Sequence, residues 1–219
     1  MHLLSHSQGE RSYSEAPTDT RNSQAGGETM RTRVLRLTVI IGSVREGRFG
    51  PTVAQWFVDA VHQFGQFELD VIDLADARLP SVITGEAPPE VTALQPRIAE
   101  ADAFVMVTPE YNRGYPASVK TLIDWYVEEW RAKPVGFVSY GGRGGALRSV
   151  DHLGSVFSDL HAVPLRDTVS FHSVETQFDS AGRVRAPEEC GLAAKTLLMR
   201  LLWWSTALSD ARAAHPYQT

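Results

Sequence analysis

The chain has 219 residues, 43% of them hydrophobic and 21% charged, with a formal net charge of −5 at pH 7. That length and composition suit a soluble protein with one sizeable core, and the mild acidity gives no whole-protein reason to expect nucleic acid or an anionic membrane as partner. The single cysteine, Cys190, excludes an internal disulfide, and no apolar run reaches the roughly 20 residues a membrane span needs, so a cytoplasmic location is expected.

Residues 1–30 are rich in Ser, Thr, Gly, Glu, Gln and Arg and lack apolar periodicity, which predicts a disordered tail ahead of one domain at 31–219. From Arg33 onward, strand and helix patterns alternate. Predicted strands cover Leu35–Ile41, Phe67–Asp73, Ala103–Thr108, Pro134–Ser139 and Pro164–Val169. Most are nearly continuous in their apolar character, as strands covered on both faces are. Helical spacing marks Pro51–Phe64, Pro89–Ala101, Pro116–Arg131, Ala146–Leu160 and, after a loop or short strand around Phe171–Arg185, about Pro187 to Ala211. Alternating strands and helices predict an α/β three-layer sandwich, a five-stranded parallel sheet with helices on both faces. Cys190 falls in the last helix and is expected near the core. Trp203-Trp204 is expected to serve packing or an interface.

Three loops follow apolar strands, and ligands of open α/β sheets sit at the carboxyl ends of strands. The first, Gly42-Ser43-Val44-Arg45-Glu46-Gly47-Arg48, leads into a helix start at Gly50, Pro51, Thr52 and Val53. Unpaired N–H groups and the helix dipole there favour a phosphate, with the Ser43 hydroxyl and the Arg45 and Arg48 guanidinium groups as further donors. The alternative is that both arginines are solvated loop charges. The second loop, Pro109-Glu110-Tyr111-Asn112, offers an aromatic face at Tyr111. Asn112 can either hold the turn or bond a ligand, and Glu110 reads as a turn carboxylate ahead of a general base. The third, Ser139-Tyr140-Gly141-Gly142-Arg143-Gly144-Gly145, lets backbone approach a flat ring closely, with a helix N-terminus beginning near Gly145 or Ala146. A phosphate site beside a ring site describes flavin mononucleotide, FMN, and the flavodoxin-like strand order 2-1-3-4-5 places such a ligand at this end of the sheet.

Taken in order, Gly42-Ser43-x-Arg45-x-x-Arg48-x-x-Pro51-x-Val53, Pro109-Glu110-Tyr111-Asn112 and Tyr140-Gly141-Gly142 closely resemble the NADPH-dependent FMN reductase family over roughly Arg33 to Leu202. The resemblance implies bound FMN, with its phosphate held by Ser43, Arg45, Arg48 and the Gly50–Val53 helix start. It also implies a ring bordered by Pro109, Glu110, Tyr111 and Asn112 and approached at its pyrimidine end by Ser139 to Arg143. The implied reaction is ping-pong: hydride passes from NADPH or NADH to FMN, and the electrons then go to a small acceptor such as flavin, quinone, azo compound or metal oxyanion. A flavodoxin-type electron carrier is the alternative, and a flavin-free regulatory or scaffolding protein is a third reading. No catalytic side chain or metal site is expected, because the cofactor carries the chemistry and the scattered His152, His161 and His172 lack metal-ligand spacing. His152 is expected to pack on its helix. The family's usual assemblies imply a homodimer or homotetramer. Consistent with that, Tyr115, Leu122, Ile123, Trp125, Tyr126 and Trp130 give Pro116–Arg131 more apolar surface than one sheet face needs, predicting that this helix lies in a dimer seam.

Overall fold

The computed structural model describes residues 33–218, so the reading of residues 1–30 lies outside it. Leu35–Ile41 (β1) pairs in parallel with Phe67–Asp73 (β2) on one side and Ala103–Pro109 (β3) on the other. Pro134–Tyr140 (β4) extends the sheet beyond β3, and Val163–Pro164 (β5) lies beyond β4, which gives the expected order β2-β1-β3-β4-β5. β3 and β4 are buried throughout, as their unbroken apolar runs require, whereas β2, at the edge, exposes Glu68 and Val71. Alternate residues build two cores. Leu37, Val39, Ile41, Val105, Val107 and Val138 face one layer, and Ile40, Ile72, Phe104, Met106, Val135 and Phe137 the other.

The fifth strand departs from expectation. It is two short pieces, Val163–Pro164 (β5) and Val169–Phe171 (β6), both paired with β4. Two residues of β4, Gly136 and Phe137, face the four residues 165–168, so the outer edge carries a bulge. The Val163 and Leu165 N–H groups donate to Lys133 O and Val135 O at 2.9 and 2.8 Å, so the missing N–H of Pro164 falls on the open side, and the exposed Arg166 and Asp167 lie within the bulge.

Gly50–Phe64 (α1) and the 28-residue Pro187–Ala214 (α7) cover the first core, and Cys190 packs partly buried against it. Leu74–Ala77 (α2) is one turn, capped by the Asp73 carboxylate, which accepts from the Ala75 N–H at 3.0 Å. Pro89–Glu100 (α3), Ala117–Trp125 (α4) and Leu147–Asp159 (α5) cover the second core, and Val174–Gln177 (α6) follows β6. Trp203 is 62% exposed on α7, while Trp204 packs against the core.

The dimer-seam argument is overturned at α4. The helix ends at Trp125 and gives way to a short 3-10 turn at Glu128–Trp130. Leu122, Ile123, Tyr126 and Trp130 are buried within their own chain. The Tyr126 hydroxyl donates to Val91 O at 2.8 Å, the Trp125 indole to Pro80 O at 2.9 Å, and the Trp130 ring packs 4.5 Å from Phe104. The surplus aromatic surface is covered by α3, α5 and the strap before α3, because turning the chain inward after Trp125 satisfies those rings locally. His152 also differs: it is exposed on α5.

At the amino end of the sheet, Asp102 is 1% exposed and takes both oxygens to Arg33 at 3.1 Å, with Arg212 at 3.3 Å and the Arg36 backbone N–H at 3.0 Å. Beside it, the buried Lys133 ammonium donates to Ile98 O at 3.2 Å and Ala99 O at 2.7 Å, closing the end of α3. Burial pushes its pKa down to about 8.

Candidate functional site

The three loops leave β1, β3 and β4, which are adjacent in the sheet, at their carboxyl ends. The gap between β1 and β3 is where the chain's winding reverses, the position at which doubly wound sheets bind ligands.

In the first loop the expected phosphate donors divide. Arg48 is turned away from solvent and forms a two-pronged pair with Asp73, Nη1 to Oδ1 at 2.5 Å and Nη2 to Oδ2 at 2.6 Å, while also donating to Ser43 O. Asp73 raises the Arg48 pKa above the usual arginine value. This corrects the reading of Arg48 as a free anion ligand: a guanidinium already matched to a carboxylate braces the loop. Ser43 is fully buried, and its Oγ accepts from the Tyr140 hydroxyl at 3.0 Å. Burial raises the Tyr140 pKa to about 12, so the phenol keeps this proton. Gly50 leaves room for both, since a Cβ there would lie 2.4 Å from Ser43 Oγ and 2.9 Å from the Tyr140 hydroxyl oxygen. Arg45 is exposed, and α1 starts with no side-chain cap, no acidic residue in its first turn, and Pro51 early in that turn. Half-buried Thr52 and buried Val53 complete the turn.

The second loop is a tight hairpin. Tyr111 N–H donates to Gly114 O at 2.8 Å and Gly114 N–H to Tyr111 O at 3.1 Å, with Asn112 and Arg113 at φ 50° and 71°. Those are the corners of a type I′ turn, so Asn112 holds the turn by backbone shape. Arg113 takes the same left-handed region at about 1–2 kcal/mol. Pro109 is buried and its carbonyl accepts from the Thr108 and Ser149 hydroxyls, each at 3.1 Å, which turns that oxygen inward. Glu110 pairs with Arg148 at 2.9 Å and so ties the loop to α5, the structural role read from the sequence. Its second oxygen, Oε2, is buried without a partner among the described residues. The Arg45 guanidinium lies over the Tyr111 ring, 5.1 Å from its centroid. The side chains expected at the phosphate and ring ends therefore meet across the site.

The third loop is held by its neighbours. Gly145 O accepts from the Ser139 and Ser170 hydroxyls, both at 2.7 Å. The His172 ring Nδ1 lies 2.9 Å from Arg143 O, and Gly141 N–H donates to Phe171 O at 3.1 Å. A Cβ on Gly145, at φ 55°, would lie 2.4 Å from Ser170 Oγ, and Ala146 follows at φ 63° as the cap of α5. Exposed Gly142 and Arg143 and half-buried Gly141 face outward, whereas Ser139 and Tyr140 are buried beneath.

Of the sixteen sequence-predicted residues, Arg45, Pro51, Thr52, Glu110, Tyr111, Asn112, Gly141, Gly142 and Arg143 reach the surface of this rim. Ser43, Gly50, Val53, Pro109, Ser139 and Tyr140 lie under it, with Arg48 between the two groups. Sequence reasoning missed Asp73, Arg148, Ser149, Ser170 and His172. Asp73, closing an apolar strand and capping α2, carried a readable signal. The others act across distances no local pattern shows.

The rim suits FMN by its own chemistry. An uncapped helix N-terminus beside Arg45 wants an anion. Flat glycine backbone faces it across β3, and the orphaned buried Oε2 of Glu110 awaits an N–H donor, a group that the edge of a flavin ring carries.

Residues 35–176, more than half of the chain, match the model of the NADPH-dependent FMN reductase family. An NAD(P)H-dependent FMN reductase of Schizosaccharomyces pombe is 39% identical over 133 residues, which cover 53% of this chain and 65% of that protein, so the match spans just under two thirds of that relative's length. An NADPH:quinone oxidoreductase of Arabidopsis thaliana is 29% identical over 161 residues, 69% of this chain and 82% of that protein. The flavoenzyme NAD(P)H:(acceptor) oxidoreductase FerB from Paracoccus denitrificans has the same fold, with a TM-score of 0.64 at 23% identity over 79% of this chain and 98% of that one. With the motifs, the sheet order and the family match in agreement, the chain belongs to the NADPH-dependent FMN reductase family, oxidoreductases defined by FMN and NAD(P)H.

Proposed function

We propose that this protein oxidises NAD(P)H and reduces a small acceptor, a flavin, quinone, azo compound or metal oxyanion, in ping-pong fashion through FMN held across the ends of β1, β3 and β4. The observation that carries this reading is the placement of an anion-seeking helix start and two ring-bordering loops on three neighbouring strands. Bound FMN would supply the hydride and electron chemistry. Arg45 and the first-turn N–H groups of α1 would bind its phosphate, while Arg48–Asp73 and Tyr140–Ser43 hold the loop that presents them. The ring would lie between the second and third loops, bordered by Pro109, Glu110, Tyr111 and Asn112 on one side and Ser139, Tyr140, Gly141, Gly142 and Arg143 on the other. Glu110–Arg148 fixes the spacing on one side and Ser139, Ser170 and His172 on the other. No side chain here has to exchange a proton with substrate.

Membership of an oxidoreductase family weighs against the electron-carrier alternative. No helix among the described residues is long and apolar enough to cross a membrane. A homodimer or homotetramer remains part of the proposal, and light scattering at micromolar concentration, where a lone chain is 24.2 kDa, measures it directly. The enzymatic test is reconstitution with FMN and observation of the visible spectrum. NADPH or NADH should bleach the flavin within a turnover, and a quinone or free flavin should restore it after the nucleotide is removed. A flavin that stays oxidised under both nucleotides overturns the proposal.

A further inference from the structure

A type I′ turn favours glycine at its second corner, because the left-handed region crowds a Cβ. This chain has Arg113 at that corner, φ 71°, and places its glycine one position later at Gly114. A long cation is thus fixed on a rigid two-residue corner in a conformation it disfavours, directly beyond the residues that border the ring. Backbone strain of this kind clusters at ligand sites. Its neighbours are engaged: Arg45 lies over Tyr111, Arg48 pairs with Asp73 and Arg148 with Glu110. Among the described residues, the Arg113 guanidinium has no ion pair, hydrogen bond or aromatic partner.

We propose that Arg113 binds the 2′-phosphate of NADPH and sets the preference of this enzyme for NADPH over NADH. This rests on the reading of the rim as an NAD(P)H site. A nicotinamide placed against the ring between the second and third loops leaves the rest of a dinucleotide to run out over a loop rim. The 2′-phosphate is the group on that tail that NADH lacks, a terminal and nearly dianionic phosphate with three acceptor oxygens. A guanidinium matches it with two parallel N–H donors. On the second loop no carboxylate competes for the cation, since Glu110 is held by Arg148. The third loop also offers Arg143, but there the carbonyl is pinned beside His172, and the positive φ values of that loop fall on Gly145 and Ala146 rather than on Arg143.

Arg113→Gly tests this cleanly, because glycine is the residue the corner prefers and folding is not threatened. With the FMN-loaded protein, the ratio of kcat/KM for NADPH to that for NADH should fall by about ten- to a hundred-fold, the loss expected for one charge-assisted phosphate contact. Calorimetry should show adenosine 2′,5′-bisphosphate binding weakened by a similar factor, 5′-AMP binding unaffected, and FMN content and melting temperature held or raised. Arg113→Lys should recover part of the preference. Equal losses with NADPH and NADH would overturn the assignment, since Arg113 would then touch a group common to both. So would a wild-type protein that shows no preference, or bisphosphate binding indifferent to the substitution. Failure of the wild-type FMN-loaded protein to oxidise either nucleotide would instead overturn the underlying reading of the site.

Discussion

The two ends of the sheet use the same residue type in opposite ways. At the amino end, Arg33, Arg212 and the Arg36 backbone converge on Asp102, and Lys133 is spent on two carbonyls of α3. At the carboxyl end, Arg48 and Arg148 are matched to Asp73 and Glu110, but among the described residues Arg45 has only the face of an aromatic ring. Arginine composition therefore says little about binding. What separates a structural cation from an available one is whether a carboxylate has been placed within reach.

The sharpest way to break this contrast is at its buried anion. Asp102→Ala leaves Arg212 and Lys133 without a counter-charge and is expected to lower unfolding free energy by about 3–5 kcal/mol in urea titrations. FMN affinity of the folded fraction should be unchanged, and a loss below about 1 kcal/mol would show that the amino-end network is ornamental. At the other end the effect should appear in binding. Arg45→Ala is expected to weaken FMN about ten- to a hundred-fold, or about 1.5–3 kcal/mol, with riboflavin affinity nearly indifferent and stability held. Equal FMN affinity in the two proteins removes the phosphate assignment.

A pH titration sharpens the comparison further. The folded Lys133 pKa of about 8 lies below its ordinary 10.5, so between these values the unfolded chain carries more protons. Stability should rise from about pH 8 to pH 10 by about 2 kcal/mol. Tyr126 and Tyr140 oppose this above about pH 10, because both hold their protons to about 12 when folded. Lys133→Met should flatten the rise and leave the later fall. The smallest effect is expected for Tyr140→Phe, about 1 kcal/mol from the lost bond to Ser43, with FMN binding weakened only a few-fold.

Much of this was legible in the chain. Strands such as Ala103–Thr108 and Pro134–Ser139 stood out because they are apolar on both faces, a pattern local sequence records faithfully. The fifth was misread as continuous because the bulge depends on which residues of β4 lie opposite. The three loops were visible as glycine- and proline-rich turns after strands, yet the division of labour within them was not. Arg45 and Arg48 sit three positions apart in one loop, and only the distant Asp73 decides that one is a brace. The aromatic surplus of Tyr126 and Trp130 misled for the same reason, since their cover comes from α3 and α5.

The broken outer strand has a bearing on life at high concentration. An open sheet margin offers unpaired backbone groups to any passing chain, and a continuous fifth strand would have exposed a long flat ribbon of them. Here a proline, a four-residue detour and a solvent-facing Arg166-Asp167 pair divide that ribbon into lengths of two and three residues. Fragments so short give a neighbouring sheet nothing to zip onto, so the same irregularity that blurred the strand pattern keeps copies of the protein from joining edge to edge.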